Sequence, residues 1–281
     1  MMRIDLHTHT TASDGLFTPA ALLERARAAE LSAIGITDHD TATGVREALA
    51  GARPEGLEVI AGIEVSAYVG ERDLHVLGYF IDPEAESLRA FEEERRVLRT
   101  ERLHRMVEQL RAAGMDLTID EVLAQPGGDG APGRPHVARA LLAKGYAKSM
   151  GEVFQRILGK GGAGHVPMQK PEAGEAAALI ERAGGVPVIA HAALDDLDPV
   201  LDELVAKGMR GIEVYHPDHK PEARARYADY ARAKGLLMTG GSDYHGEGRK
   251  DGGALGGTPC PPDCLEALRR AAGKTGNTRS T

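Results

Sequence analysis

The chain has 281 residues, with 42 acidic and 34 basic side chains, a formal charge of −8, and 11 histidines. The acidic balance argues against a broad grip on long duplex nucleic acid, which relies on many Lys and Arg contacts to phosphate. The lack of Trp, with only 4 Phe and 7 Tyr, argues against extended base-stacking platforms. Two cysteines, Cys260 and Cys264, cannot build a disulfide framework; with no signal-peptide pattern and no apolar run near 18 residues, the expected compartment is the cytoplasm and no membrane partner is expected.

In chain order, the first eighty residues alternate aliphatic runs with Ala/Leu/Glu/Arg-rich segments, the pattern of βα units feeding a parallel sheet. Arg3 to Leu6 reads as a strand, and Thr18 and Pro19 as the cap and first turn of a helix reaching about Leu31. Strands are predicted at Ala33 to Thr37, Leu57 to Ile63 and Leu74 to Phe80. From Asp82 the character changes: Pro83 to Ala113 reads as a long charged helix with Leu88, Phe91, Leu98, Leu103, Val107 and Leu110 as its apolar positions. Further helices are predicted at Ile119 to Gln125, Pro135 to Lys144 and Ser149 to Leu158, with a Gly/Pro-rich loop from Gln125 to Pro135. Residues 82–165 are therefore expected to form a helical insertion. The βα rhythm then resumes, with strands at Val186 to Ala190, Gly211 to Tyr215 and Leu236 to Thr239 and helices at Glu172 to Ala183, Pro199 to Lys207 and Pro221 to Lys234. The expected architecture is an α/β chain: a distorted, TIM-like (β/α) barrel of about seven strands from 1–81 and 166–272, interrupted by the small insertion, with a disordered polar tail at 273–281.

The ionisable residues follow the strands. His7, His9 and Asp14 follow the first, in D-L-H-T-H-T; His39 follows the second, in T-D-H-D; Glu64 follows the third, in G-I-E-V. His75 starts the fourth, His191 ends V-P-V-I-A-H, His216 follows E-V-Y, and Asp243 and His245 lie in G-G-S-D-Y-H-G. One such residue alone is better read as a satisfied core histidine or a capping acid, but a barrel brings successive strand ends to one mouth. Imidazole and carboxylate are ligand types for Zn²⁺, Mn²⁺ and Fe²⁺. His7, His9, Asp14, His39, Glu64, His75, His191, Asp243 and His245 exceed the needs of one ion and suit two or three, with Glu64 able to bridge.

D-L-H-T-H-T-x-x-S-D-G, T-D-H-D, G-I-E-V, V-I-A-H and G-S-D-Y-H-G together resemble the motifs of the PHP (polymerase and histidinol phosphatase) superfamily of metal-dependent phosphoesterases. The insertion followed by L-G-K-G-G-A-G-H-V-P resembles the subgroup of 3′,5′-nucleoside bisphosphate phosphatases and 5′–3′ exoribonucleases. The resemblance implies a distorted (β/α)₇ barrel, the PHP fold. It also implies three ion sites: His7, His9, Glu64 and Asp243; Glu64, His75 and His191; and Asp14, His39 and His245. Two departures, His165 where the subgroup commonly has an aromatic residue and Ala192 where proline is frequent, bear on substrate preference.

The expected activity is hydrolysis of a phosphate monoester of a small nucleotide, a nucleoside 3′,5′-bisphosphate, extending to short 5′-phosphorylated oligonucleotides. A hydroxide bridging two ions would attack phosphorus, since coordination lowers the pKa of water from 15.7 towards roughly 7. Arg134 in G-R-P-H and Lys160 in a Gly-rich loop are the expected phosphate-binding cations. His136 and His216 are the candidates to protonate the leaving oxygen, and His216 also to bind phosphate. Histidinol-phosphate hydrolysis and a non-catalytic metal-binding module are the alternatives. Asp38 is placed to orient a ligand imidazole and Asp40 to cap a helix. His104 reads as solvated, His219 as a loop residue or cap, Asp195, Asp196 and Asp198 as a solvated loop and cap, and the two cysteines as packing near the last helix.

Overall fold

The structure, a computed structural model, describes residues 2–125, 133–247, 252–258 and 260–273. By its internal contacts the chain divides into two compact units, Met1–Ala90 with Lys170–Thr281, and Phe91–Gln169. Most of the predicted Gln125 to Pro135 loop and all but the first residue of the predicted tail lie outside the described residues.

The first unit is built on a seven-stranded sheet in the order β1 to β7. Strand β1 (Ile4–Thr8) is buried throughout and pairs in parallel with β2 (Ala33–Ile36), which pairs in parallel with β3 (Glu58–Val69). Helix α1 (Pro19–Ala28) starts where Thr18 Oγ1 accepts from Ala21 N at 3.3 Å and proline occupies the first turn; it buries Leu22, Leu23 and Ala26. A second helix, α2 (Thr43–Ala50), joins β2 to β3. Its single apolar turn, Val45 and Ala48, is too short to stand out as a periodic stripe.

The middle of the sheet departs from the predicted parallel pattern. Strand β3 runs on past Glu64 to Val69, turns at Gly70 (φ 57°), and returns as β4 (Arg72–Tyr79), antiparallel to β3 and to β5 (Val186–Ile189). A two-residue connection can close a hairpin but cannot make a parallel crossover, which needs a dozen or more residues. Strands β5, β6 (Gly211–Tyr215) and β7 (Leu237–Gly240) are again parallel. Helix α7 (Ala173–Arg182) precedes β5, α8 (Leu201–Ala206) precedes β6, and α9 (Pro221–Lys234) precedes β7, ending on left-handed Gly235.

The two edges of the sheet meet just beyond β7. Thr8 bridges in parallel to Tyr244, His9 N donates to Tyr244 O at 2.9 Å, and Tyr244 N donates to His7 O at 3.3 Å. This closes the strands into a distorted barrel. The seam is tight: a Cβ on Gly241 would lie 2.3 Å from His7 N. Gly241→Ala is therefore expected to cost about 1–3 kcal/mol, as overpacking does, read as a lowered thermal midpoint; an unchanged melt would show that the seam yields freely. Helix α10 (Pro262–Ala271) packs Cys264, Leu265 and Leu268 beside Cys260 against Ile4, Leu6 and Tyr79, so both thiols are buried and unbridged.

The second unit is helical. Helix α3 (Glu86–Ala112) turns Leu103, Met106, Val107 and Leu110 onto Val122 of α4 (Ile119–Leu123), Val137 and Leu141 of α5 (Arg134–Ala143), and Val153 and Leu158. Thr118 and Glu121 form a reciprocal capping box at the start of α4. The last helical stretch is one turn, α6 (Met150–Glu152), continued as a π-turn over Val153–Ile157. No helix among the described residues is long and apolar enough to cross a membrane.

Candidate metal centre

Alternation along β1 puts His7 and His9 on one face and Thr8 on the other, where its hydroxyl donates to Gly35 O at 2.7 Å. The loop that follows is pinned by Asp38, whose carboxylate accepts from Thr10 N (2.7 Å), Thr10 Oγ1 (2.8 Å) and Ser13 Oγ (2.6 Å). Asp38 thus orders the loop carrying His9 and Asp14 instead of orienting an imidazole. Asp40 Oδ1 accepts from Ser66 N at 2.9 Å, and the α2 N-cap residue is Ala42. His39 bridges in parallel to Glu64, so the segment after β2 continues the sheet to the site.

Glu64 is the centre of the cluster and is fully buried. Its Oε2 lies 3.1 Å from His7 Nε2, 3.2 Å from His9 Nε2 and 3.3 Å from His39 Nδ1, while its Oε1 lies 3.0 Å from both His75 Nδ1 and His191 Nε2. Asp243 Oδ1 is 3.1 Å from His9 Nε2 and 3.3 Å from His7 Nε2. Asp243 is held at φ 53°, a left-handed backbone uncommon outside glycine and frequent at functional positions. His245 Nδ1 donates to Asp243 O at 2.8 Å, which turns its Nε2 to Asp14 Oδ1 at 3.2 Å.

Three groups of donor atoms, each within 4.8 Å of one another, result: His7, His9, Glu64 and Asp243; His9, Asp14, His39 and His245; and His39, Glu64 and His75. The first coincides with the expected set and the second adds His9 to one. In the third, His39 stands with Glu64 and His75, and His191 Nε2 adjoins them, 3.2 Å from His75 Nδ1. The residues fit divalent cations: the donors are imidazole and carboxylate, and His9 Nδ1 is buried without a hydrogen-bond partner.

The remaining candidates fall in two places. His216 is fully buried; its Nδ1 accepts from Asp218 N at 3.2 Å and its Nε2 lies 3.5 Å from Asp243 Oδ2. Arg134, His136 and Lys160 belong to the second unit. Arg134 Nη2 donates to Leu158 O at 3.0 Å, with the guanidinium 5.1 Å from the Phe154 ring centre. His136 Nδ1 accepts from Gly133 N at 3.2 Å, and Lys160 is exposed. His219, expected in a loop or cap, is buried: its Nδ1 donates to Val214 O at 3.1 Å and its Nε2 accepts from Ala193 N at 3.4 Å.

Sequence reasoning passed over three buried or half-buried acids. Asp195 is not simply a solvated loop residue, since its Oδ2 lies 3.1 Å from His191 Nδ1. Asp5 accepts from Ser242 Oγ at 2.6 Å and from Ser242 N and Gly256 N at 2.8 Å, tying β1 to the loop after β7. Glu213, a lone acid inside the apolar strand G-I-E-V-Y, lies with Oε1 3.1 Å from His7 Nδ1. That isolated acid was the one signal available.

Burial opposes charge on every group here, and the neighbours decide. Asp243 and Glu64 raise His9 to about 9, and Asp195 and Glu64 raise His191 to about 10, against an ordinary value of 6.5. For His39 burial wins and lowers it to about 3. Burial would raise Asp14, Glu64 and Asp243, but the imidazoles beside them hold all three below the usual carboxylate range. Stability from His9 and His191 is complete below pH 6.5 and is lost as pH rises towards 9 and 10. The neutral His39 makes folding less favourable as pH falls below 6.5, and the carboxylates lose their contribution below about 4.5. Metal-stripped protein is thus expected to melt highest near pH 6.5 and lower at pH 9; a midpoint flat or rising over that interval contradicts these assignments.

A model of the PHP domain matches residues 5–183 of the chain. The 3′,5′-nucleoside bisphosphate phosphatase of Chromobacterium violaceum is 35% identical over 276 residues, spanning 96% of each chain. A 5′–3′ exoribonuclease of Haemophilus influenzae is 31% identical over 248 residues, spanning 86% of this chain and 90% of that one. The crystal structure of a proposed metal-dependent phosphoesterase from Bifidobacterium adolescentis superposes with a TM-score of 0.80 at 34% identity, covering 96% of both chains.

Proposed function

The chain belongs to the PHP-domain family, and from that premise we propose that it is a metal-dependent phosphatase acting on a nucleoside 3′,5′-bisphosphate, with short 5′-phosphorylated oligonucleotides as further substrates. The observation that carries the reading is the convergence on Glu64 of imidazoles from four separate strands or strand ends, His7, His39, His75 and His191. A metal-dependent phosphoesterase is what such a donor set serves. The nucleotide preference draws on the bisphosphate phosphatase relative, which matches over nearly its whole length.

In this reading His7, His9, Asp14, His39, Glu64, His75, His191, Asp243 and His245 hold two or three ions of Mn, Fe or Zn. When bound, such ions neutralise phosphate oxygens and bring the pKa of water down from 15.7 towards roughly 7. Glu64 and Asp243 supply the buried negative charge that would keep several cations close together, while His245, whose Nδ1–H donates to Asp243 O, turns its Nε2 towards Asp14. Arg134 and Lys160 are assigned the remaining phosphate charge, and His216 or His136 the leaving-group proton. The cytoplasm is the proposed location, where phosphorylated nucleotides are at hand.

The test is metal analysis followed by a substrate panel. Purified protein is expected to carry more than one equivalent of Mn, Fe or Zn, and to hydrolyse a nucleoside 3′,5′-bisphosphate faster than histidinol phosphate. Metal-loaded protein that binds nucleotides but turns over nothing in a broad phosphoester panel is instead a binding module.

A further inference from the structure

Strand β6 carries none of the nine proposed ligands, yet it presents one carboxylate, Glu213, fully buried in an otherwise uncharged strand. Both carboxylate oxygens are used. Oε1 lies 3.1 Å from His7 Nδ1, and Oε2 accepts the backbone N–H of His191 at 2.9 Å. The other nitrogen of His7, Nε2, faces Glu64 Oε2 at 3.1 Å and Asp243 Oδ1 at 3.3 Å. Both nitrogens of His7 thus face carboxylates, which only accept; with an ion on the Glu64 and Asp243 side, Nε2 would have to be the bare nitrogen and the proton of His7 would be held on Nδ1 by Glu213. A buried charge persists only where its oxygens are satisfied. Here the satisfying donors come from the ends of two different strands, β1 and β5.

We propose that Glu213 is a positioning residue of the metal centre, holding His7 in the tautomer that offers Nε2 and keeping His191 in register with it. The proposal rests on the metal-dependent reading above. Outer partners of this kind typically account for about 10–100-fold in metal affinity. Glutamine keeps the shape of Glu213 but has one acceptor oxygen for two donors, and its NH₂ group must then face an N–H.

Glu213→Gln is expected to bind Zn²⁺ or Mn²⁺ about 10–100-fold more weakly in competition with a chromogenic chelator, while metal-stripped variant still melts cooperatively. Turnover is expected to recover as the ion is raised, because no group that touches substrate has changed. Unchanged metal affinity in the folded variant overturns the proposal. Should the variant not fold, imidazole nitrogen NMR of Zn²⁺-loaded wild type decides: His7 protonated on Nδ1 and liganded through Nε2 supports it, and His7 liganded through Nδ1 overturns it. Wild type that takes up no ion overturns the metal-dependent reading itself, a result distinct from a defect confined to the variant.

Discussion

Glu64→Gln is expected to lower kcat by roughly 10³-fold or more, with metal content falling below that of wild type. Among the described residues, Glu64 alone approaches five imidazoles, with all the nitrogens at 3.0–3.3 Å. A glutamine there keeps the volume but removes the charge and one of the two acceptors, so cations held by the surrounding imidazoles would lose their central anion. Charge neutralisation by such ions contributes several kcal/mol to the barrier, and each ~1.4 kcal/mol is a factor of ten in rate. Asp14→Asn supplies the comparison. Asp14 is 45% exposed and belongs to one donor group only, so its loss is expected to be smaller. Equal losses, or a Glu64→Gln enzyme with wild-type turnover, would remove Glu64 from the centre of the chemistry. Matching circular dichroism and melts of the two variants separate this from misfolding.

Stripping the ions with a strong chelator is expected to abolish phosphatase activity and to lower the thermal midpoint by roughly 10 °C. An ion held at 100 times its Kd stabilises the folded state by about 2.7 kcal/mol. Two such ions contribute roughly 5 kcal/mol, and in chains of 150–250 residues each kcal/mol moves the midpoint by about 2–4 °C. The physical source is the cluster itself, which packs Glu64 and Asp243 among His7, His9, His39 and His191. Re-addition of Mn²⁺, Fe²⁺ or Zn²⁺ should restore activity and midpoint together. Full activity in protein freed of metal would end the metal-dependent reading; a midpoint that does not move would show that the ions are held by a scaffold already rigid without them.

What the sequence determined by itself was the kind of chemistry and the strands that carry it. Short apolar runs ending in His, Asp or Glu are visible without coordinates, because a strand end is marked by local composition and the ligand types are marked by residue identity. The long charged helix α3 was equally legible, since its apolar residues recur at helical spacing. Only the tertiary structure decided which of these groups meet. The antiparallel return of β4 places His75 beside Glu64, and it follows from a turn at Gly70 that strand patterning alone does not reveal. Asp38, Asp195 and Glu213 take their roles from partners 25 to 206 positions away or one turn along a loop. A carboxylate's work depends on which donors surround it, and those donors are assembled from strands distant in the chain, so local sequence shows the acid but not its partner.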